Sequence, residues 1–168
     1  AVRLYTPEGG SVLIQTPVYS EFYDMTEAAG RKVVECPFRE KDGKWTMDWA
    51  EFEEKLQRCH MFLLCNPHNP LGIVWTREEL RHMAGLCMKH HVVLFSDEIH
   101  SDLIFHGKKH TPVATLSPEI AKYVITGISG TKTFNLAGLQ ASTVVFPDKR
   151  TKWVFDNFWR SMDIHRNN

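Results

Sequence analysis

Lys132 lies in Ser-Gly-Thr-Lys-Thr-Phe-Asn-Leu-Ala-Gly (129–138), a loop of small and hydroxyl-bearing residues that follows the apolar run Tyr123–Thr126. A lysine in a loop is ordinarily a solvated surface charge, and the local sequence alone leaves that account open. The unperturbed amine titrates near about 10.4. Burial or a neighbouring cation brings it towards working pH, where it becomes a nucleophile for aldehydes. Hydroxyls and backbone N–H groups at a loop–helix junction also suit a phosphate, which makes Ser129 and Thr131 candidates for that contact. A Walker-A loop is excluded, because the spacing GxxxxGK[ST] does not occur.

Two further loops carry chemistry. Asp97-Glu98-Ile99-His100-Ser101-Asp102 places two acids directly after the apolar run Val92–Ser96. A carboxylate there is costly unless it meets a cation or hydrogen-bond donors. Asp97 is placed to pair with a protonated ring nitrogen, the partner that pyridoxal phosphate (PLP) needs if its ring is to draw electrons from an amino acid's α-carbon. A metal site from Asp97, Glu98, His100 and Asp102 is the alternative, although side-chain alternation points neighbours apart. Asn66-Pro67-His68-Asn69-Pro70-Leu71-Gly72 has two Asn-Pro steps. Each proline removes a donor and restricts the asparagine before it, so the loop is stiff and Asn69 presents its amide at a set angle. An ordinary connection built from turn-forming residues is the competing account.

These loops need a scaffold. Val12–Gln15, Lys32–Cys36, Met61–Cys65, Val92–Ser96, Tyr123–Thr126 and Ala141–Phe146 read as strands. Between them lie helical stretches at about 19–29, stopped by Gly30, at about 48–58, capped by Asp48, and from the Thr76–Glu79 capping box to about His90. A short helix is expected near Ser117–Lys122, and Lys41–Lys44 is a turn. Alternating strands and helices predict a parallel or mixed sheet covered on both faces. Ligands in such sheets bind beyond the carboxyl ends of the strands. All three loops follow strands and should therefore open on one edge.

The bulk numbers narrow the rest. With 168 residues, one compact core is expected. Twenty basic and twenty acidic side chains cancel, so neither nucleic acid nor an anionic membrane is an implied partner. No apolar run approaches the roughly 20 residues of a membrane span. Cys36, Cys59, Cys65 and Cys87 lie apart without a CxxC pair, as expected of buried thiols in a cytoplasmic protein. A zinc site from Cys59, His60, Cys65 and His68 has the wrong spacing, and no metal is expected. His90, His91, His106 and His110 read as surface residues. The chain begins without Met, inside what reads as a helix end, and stops at Arg166-Asn167-Asn168, so a segment of a longer protein is expected.

Asn-Pro-His-Asn-Pro-x-Gly, then Asp-Glu-Ile-His, then Ser-x-x-Lys-Thr-Phe-Asn, in this order, resemble the fold-type I PLP enzymes of the class I/II aminotransferase superfamily. The resemblance runs along the whole chain from Val12-Leu13-Ile14-Gln15-Thr16-Pro17-Val18-Tyr19. Asp-Glu-Ile-His, with His where most aminotransferases carry Tyr, favours the MalY/PatB-type cystathionine β-lyase branch. It implies an α/β three-layer sandwich with a mostly parallel mixed sheet, of which this chain is the central part of the PLP-binding large domain. An N-terminal segment and a C-terminal small domain are then absent. It further implies Lys132 as the lysine that bonds the cofactor aldehyde and carries protons, and Asp97 at the pyridinium nitrogen. Asn69 would donate to the ring oxygen with His100 beside it, Tyr19 would stack on the ring, and Ser129 and Thr131 would contact the phosphate. For Tyr19, a core aromatic at a helix start is the competing account.

The family pattern is departed from in two places. Gln140 stands eight residues beyond the lysine, where many aminotransferases have a phosphate-binding Arg. The segments that supply further phosphate donors, a neighbouring-subunit tyrosine and a carboxylate-binding arginine are not in this sequence. The resemblance implies a carbon–sulfur β-lyase releasing thiol, pyruvate and ammonia from cystathionine or cysteine conjugates, acting as a homodimer in the complete enzyme. An aminotransferase on the same scaffold and a noncatalytic core fragment are the alternatives.

Overall fold

A computed structural model describes residues 1–105 and 107–163. His106 and the chain end at Arg166–Asn168 lie outside the described residues. In chain order the elements are α1 (Val2–Tyr5), β1 (Ser11–Thr16), α2 (Glu21–Ala28), β2 (Lys32–Pro37), β3 (Arg39–Lys41), β4 (Lys44–Thr46) and α3 (Trp49–Leu56). Then follow β5 (Met61–Cys65), α4 (Arg77–Lys89), β6 (Val93–Asp97), α5 (Pro118–Ala121), β7 (Val124–Ile128), β8 (Thr143–Val145) and α6 (Lys149–Ser161). The main sheet runs in the order β2-β1-β5-β6-β7-β8. Every neighbouring pair is parallel except β7 and β8, so the sheet is mixed and mostly parallel, as expected.

Period-two alternation splits the core into two layers. On β1, Leu13 joins a cluster with Phe62 and Leu64 of β5, Phe52 and Leu56 of α3, and Leu80 and Met83 of α4. Val12 and Ile14 point the other way, into a cluster with Met61 and Leu63 of β5, Val2 of α1 and Phe22 of α2. Helices therefore cover both faces, which is why β5 is apolar at every position instead of alternating.

The local signals act as the sequence implies. Asp48 accepts from Ala50 N and Glu51 N at 3.1 Å each. Thr76 and Glu79 form the reciprocal capping box. Gly30 follows α2 at a φ of +70°, the left-handed conformation that ends a helix. The Lys41–Lys44 turn closes the β3–β4 hairpin, with Asp42 and Gly43 both at positive φ as a tight primed turn requires.

Three differences are informative. The 19–29 stretch becomes helical only at Glu21, because Pro17–Ser20 is held in a loop by Tyr19 N donating to Asn69 O at 3.2 Å. The last strand contracts to Thr143–Val145 and runs antiparallel. The pattern after Phe146 singles out no helix, yet α6 forms there, capped by Asp148 accepting from Thr151 N at 2.8 Å.

Phe62 is fully buried, its ring edge-to-face on Phe52 at 5.1 Å. Phe62→Ala is expected to cost about 3–5 kcal/mol in urea denaturation, against about 1 kcal/mol for Thr76→Ala, which removes only a helix cap.

Candidate active site

The register of the central strands puts their carboxyl ends level. Cys65 of β5 pairs with Asp97 of β6, and Asp97 pairs with Gly127 of β7. The hydrogen bonding continues one residue into the loops: Asn66 N donates to Asp97 O at 2.9 Å, and Glu98 N to Gly127 O at 2.8 Å. The loops that follow β5, β6 and β7 thus leave the sheet side by side, and the loop after β1 joins them.

Tyr19, Asn69, Asp97, His100 and Lys132, with Cys65 and Ile99, line one narrow pocket of about 20 Å³. Asn69 and His100 also line a roomier cavity of about 310 Å³ beside it, walled by Pro67, His68, Leu103 and Phe105. Ile99 N donates to Asp97 Oδ1 at 3.2 Å and orients the carboxylate. Burial pushes the Asp97 carboxyl above its usual range, and the Glu98 charge adds to this; the Ile99 N–H and the Lys132 ammonium pull it back. Burial and the Lys132 charge both hold the His100 imidazole below its ordinary value. Lys132 itself is exposed.

Ser129 and Thr131 form a separate knot. Ser129 Oγ lies 2.8 Å from Thr131 Oγ1, donates to Ala141 O at 2.7 Å and accepts from Thr131 N at 3.1 Å. Ser129 lines a neighbouring cavity of about 400 Å³ with Ser101, Asp102, Ser142 and Thr143, not the pocket that holds Lys132. Gln140 ends a short turn at a left-handed φ of 48° and is exposed. Neither alternative metal site is assembled: among the described residues, no three His, Cys, Asp or Glu side chains converge to hold an ion.

The structure corrects two of the histidines. His110 is largely covered, with 9% of its side chain exposed, and its Nε2 lies 3.0 Å from Glu98 Oε2. The Glu98 carboxylate, only 2% exposed, also accepts from Ser96 Oγ at 2.9 Å and Val113 N at 3.0 Å. His90 is likewise partly buried against Glu53, at 2.8 Å. Two adjacent acids after a buried strand were the available signal for Glu98. Alternation sends Asp97 to the pocket and Glu98 inward, and an inward carboxylate must find donors. Nothing in the sequence singles out His110 as one of them. All four cysteines are free and buried, and burial pushes the Cys65 thiol up to about 12.

A family model described as aminotransferase class I and II matches residues 1–157, and the chain belongs to that family. It is 47% identical over 157 residues to cystathionine beta-lyase PatB of Bacillus subtilis (strain 168), covering 92% of this chain and 41% of PatB. Against protein MalY of Escherichia coli (strain K12) it is 35% identical over 140 residues, covering 82% of this chain and 35% of MalY. A PLP-bound crystal structure from Clostridium difficile 630 superposes with a TM-score of 0.95 at 42% identity, covering 99% of this chain and 43% of that one. The chain thus spans well under half the length of the relatives it matches.

Removing His110 leaves a buried carboxylate oxygen without its donor, so His110→Leu is expected to cost roughly 2–4 kcal/mol in urea denaturation. Glu98→Gln should cost less, since it removes the charge along with the bond. Asp97 sets a pH signature. Its folded-state value lies above the ordinary 3.8, so the folded chain holds that proton longer and loses stability as pH rises from there. In cofactor-free protein, Asp97→Asn is expected to be more stable than wild type at neutral pH, the gain vanishing in acid. A less stable variant at pH 7 would mean that the carboxylate is well paired.

Proposed function

We propose that this chain is the central part of the large domain of a PLP-dependent carbon–sulfur β-lyase, acting on cystathionine or a related cysteine conjugate. The observation that carries the proposal is the convergence of Lys132, Asp97 and Asn69 on one pocket at the carboxyl edge of the sheet. The donor set fits the group: an amine for the aldehyde, a desolvated acid for a pyridinium N–H, an amide for the ring oxygen and Tyr19 for the ring face. Burial raises the Asp97 carboxyl and the Lys132 ammonium only partly offsets it, so a protonated ring nitrogen at that position would relieve the remaining cost.

PLP supplies, when bound, an electron sink that lets the substrate's α-proton leave and its β-thiolate be expelled. The protein's residues do the rest. Asp97 would hold the ring nitrogen protonated, which keeps such a sink strong. Asn69 would donate its side-chain amide to the ring oxygen, with His100 next to it, and Tyr19 would cover the ring. Lys132 Nζ is the amine that would hold the cofactor through its aldehyde, and the same amine would serve as the base for the substrate's α-proton. Ser129 and Thr131 are assigned to the phosphate. Because these hydroxyls now bond each other and Ala141 O, a phosphate would have to exchange with that knot. Gln140 adds no charge there, so neutralisation falls to segments outside this chain.

The complete enzyme is read as a cytoplasmic homodimer whose remaining N-terminal and C-terminal portions finish the site. The four free thiols support that compartment, and no helix among the described residues is long and apolar enough to cross a membrane. An aminotransferase is the second reading, favoured by the description of the matching family and served by the same Lys132, Asp97 and Asn69.

The full-length protein is expected to absorb as a PLP–lysine adduct and to release pyruvate and a thiol from cystathionine. Lys132→Ala should abolish that absorbance and lower kcat by about 100- to 10,000-fold. Amino transfer that depends on an added oxo acid, without thiol release, would establish the second reading instead. If the longer protein binds PLP and residues 1–168 alone do not, this piece is a noncatalytic core.

A further inference from the structure

His68 is a buried imidazole, 2% exposed, in the middle of the Asn66–Gly72 loop. Its ring packs edge-on to Phe38 at 4.8 Å and to Trp75 at 6.2 Å, and Trp75 Nε1 in turn donates to Cys65 O at 2.9 Å. His68 N donates to Ile73 O, and His68 O accepts from Gly72 N, both at 2.8 Å, so the loop closes on itself around this residue. A structural core histidine would need nothing more. His68, however, makes one bond out of its own loop: Nε2 lies 2.8 Å from Pro17 O, in the loop after β1.

A carbonyl only accepts, so Nε2 must carry the hydrogen. Nδ1 is then the bare nitrogen, buried with no protein partner. A second proton there would be a stranded donor, and burial accordingly holds the imidazole below its ordinary value and in the neutral form. Next to this bond, Tyr19 N donates to Asn69 O at 3.2 Å, and Asn69 N donates to Cys65 Sγ at 3.3 Å. Two rungs thus join residues 17 and 19 of one loop to residues 68 and 69 of the other. The free ends of that ladder are the Tyr19 ring and the Asn69 amide, both of which line the Lys132 pocket.

We infer that His68 is a positioning residue for the cofactor pocket, its Nε2–H bond to Pro17 setting the spacing between the Tyr19 ring and the Asn69 amide. The inference rests on the reading of that pocket as a PLP site. His68 touches none of the reacting groups under this assignment. It acts through Tyr19 and Asn69, and without it the loop after β1 keeps only the single Tyr19–Asn69 rung.

The test uses the complete protein and measures PLP affinity by absorbance titration beside the melting temperature of the cofactor-free form. His68→Leu keeps the packing and loses the bond; it should weaken PLP binding about tenfold or more while the melting temperature changes little. His68→Gln carries an amide N–H close to the position of Nε2 and should recover affinity to within about threefold of wild type. His68→Asn, one methylene shorter, should not. A Leu variant that binds PLP as tightly as wild type would overturn the inference alone, as would equal losses in the Leu and Gln variants. If the Leu variant does not fold, the comparison of Gln with Asn decides, and equal affinities would overturn it. Wild-type protein that binds no PLP would sink the reading of the pocket and this inference together.

Discussion

The level parallel register of β5, β6 and β7 is the constraint on which the rest depends. Cys65, Asp97 and Gly127 sit abreast, and the ladder extends into the loops through Asn66 N and Glu98 N. Each strand delivers its chemistry within a few residues of its end: Asn69 after β5, Asp97 and His100 at the end of β6, Lys132 after β7. A slip of one residue in β6 would exchange Asp97 and Glu98, burying the pocket acid and exposing the one that needs three donors. Packing on both faces holds the register, since Leu13, Phe62 and Leu64 enter one core layer while Val12, Ile14 and Met61 enter the other.

Adjacent acids with opposite environments follow from the same register. Glu98 is satisfied by Ser96, Val113 and His110, and its loop is thereby tied back to the sheet from residue 98 to residue 113. Asp97 receives one backbone N–H at Oδ1 and faces Lys132 and His100. One carboxylate is spent on architecture, and the other is left costly enough that a cationic ring would relieve it. The fold accepts that cost at the pocket because the surrounding apolar layers are otherwise closely packed, the usual place for a protein to hold local destabilisation.

The outlying parts of the site are less complete. Ser129 and Thr131 bond to each other and to Ala141 O, Gln140 is turned outward, and Lys132 is exposed. The chain covers 41% of PatB, so most of that relative's length is unmatched. Tyr19, Asn69, Asp97 and Lys132 share one pocket along a continuous sheet edge, whereas Ser129 lines a separate cavity.

Much of the fold was legible along the chain because its signals are local. Asp48, the Thr76–Glu79 box, Gly30 and the Asp42-Gly43 turn each act on backbone groups within a few residues. Apolar runs announced β5, β6 and β7, and the strand ends with the loops after them announced Asn69, Asp97 and Lys132. The antiparallel return of β8 and the helix α6 were not legible, since their apolar positions are short or half exposed and their placement depends on neighbours far away in sequence. Nor were the roles of His68 and His110, whose meaning comes from Pro17, 51 residues distant, and from Glu98, which is buried just after β6. The sequence by itself determined which residues carry reactive groups and that each sits at a strand end. Only the tertiary structure decided which histidines are inside and which acid faces the pocket, because hydrogen-bond partnership across elements is a property of packed distance and leaves no periodic trace in the chain.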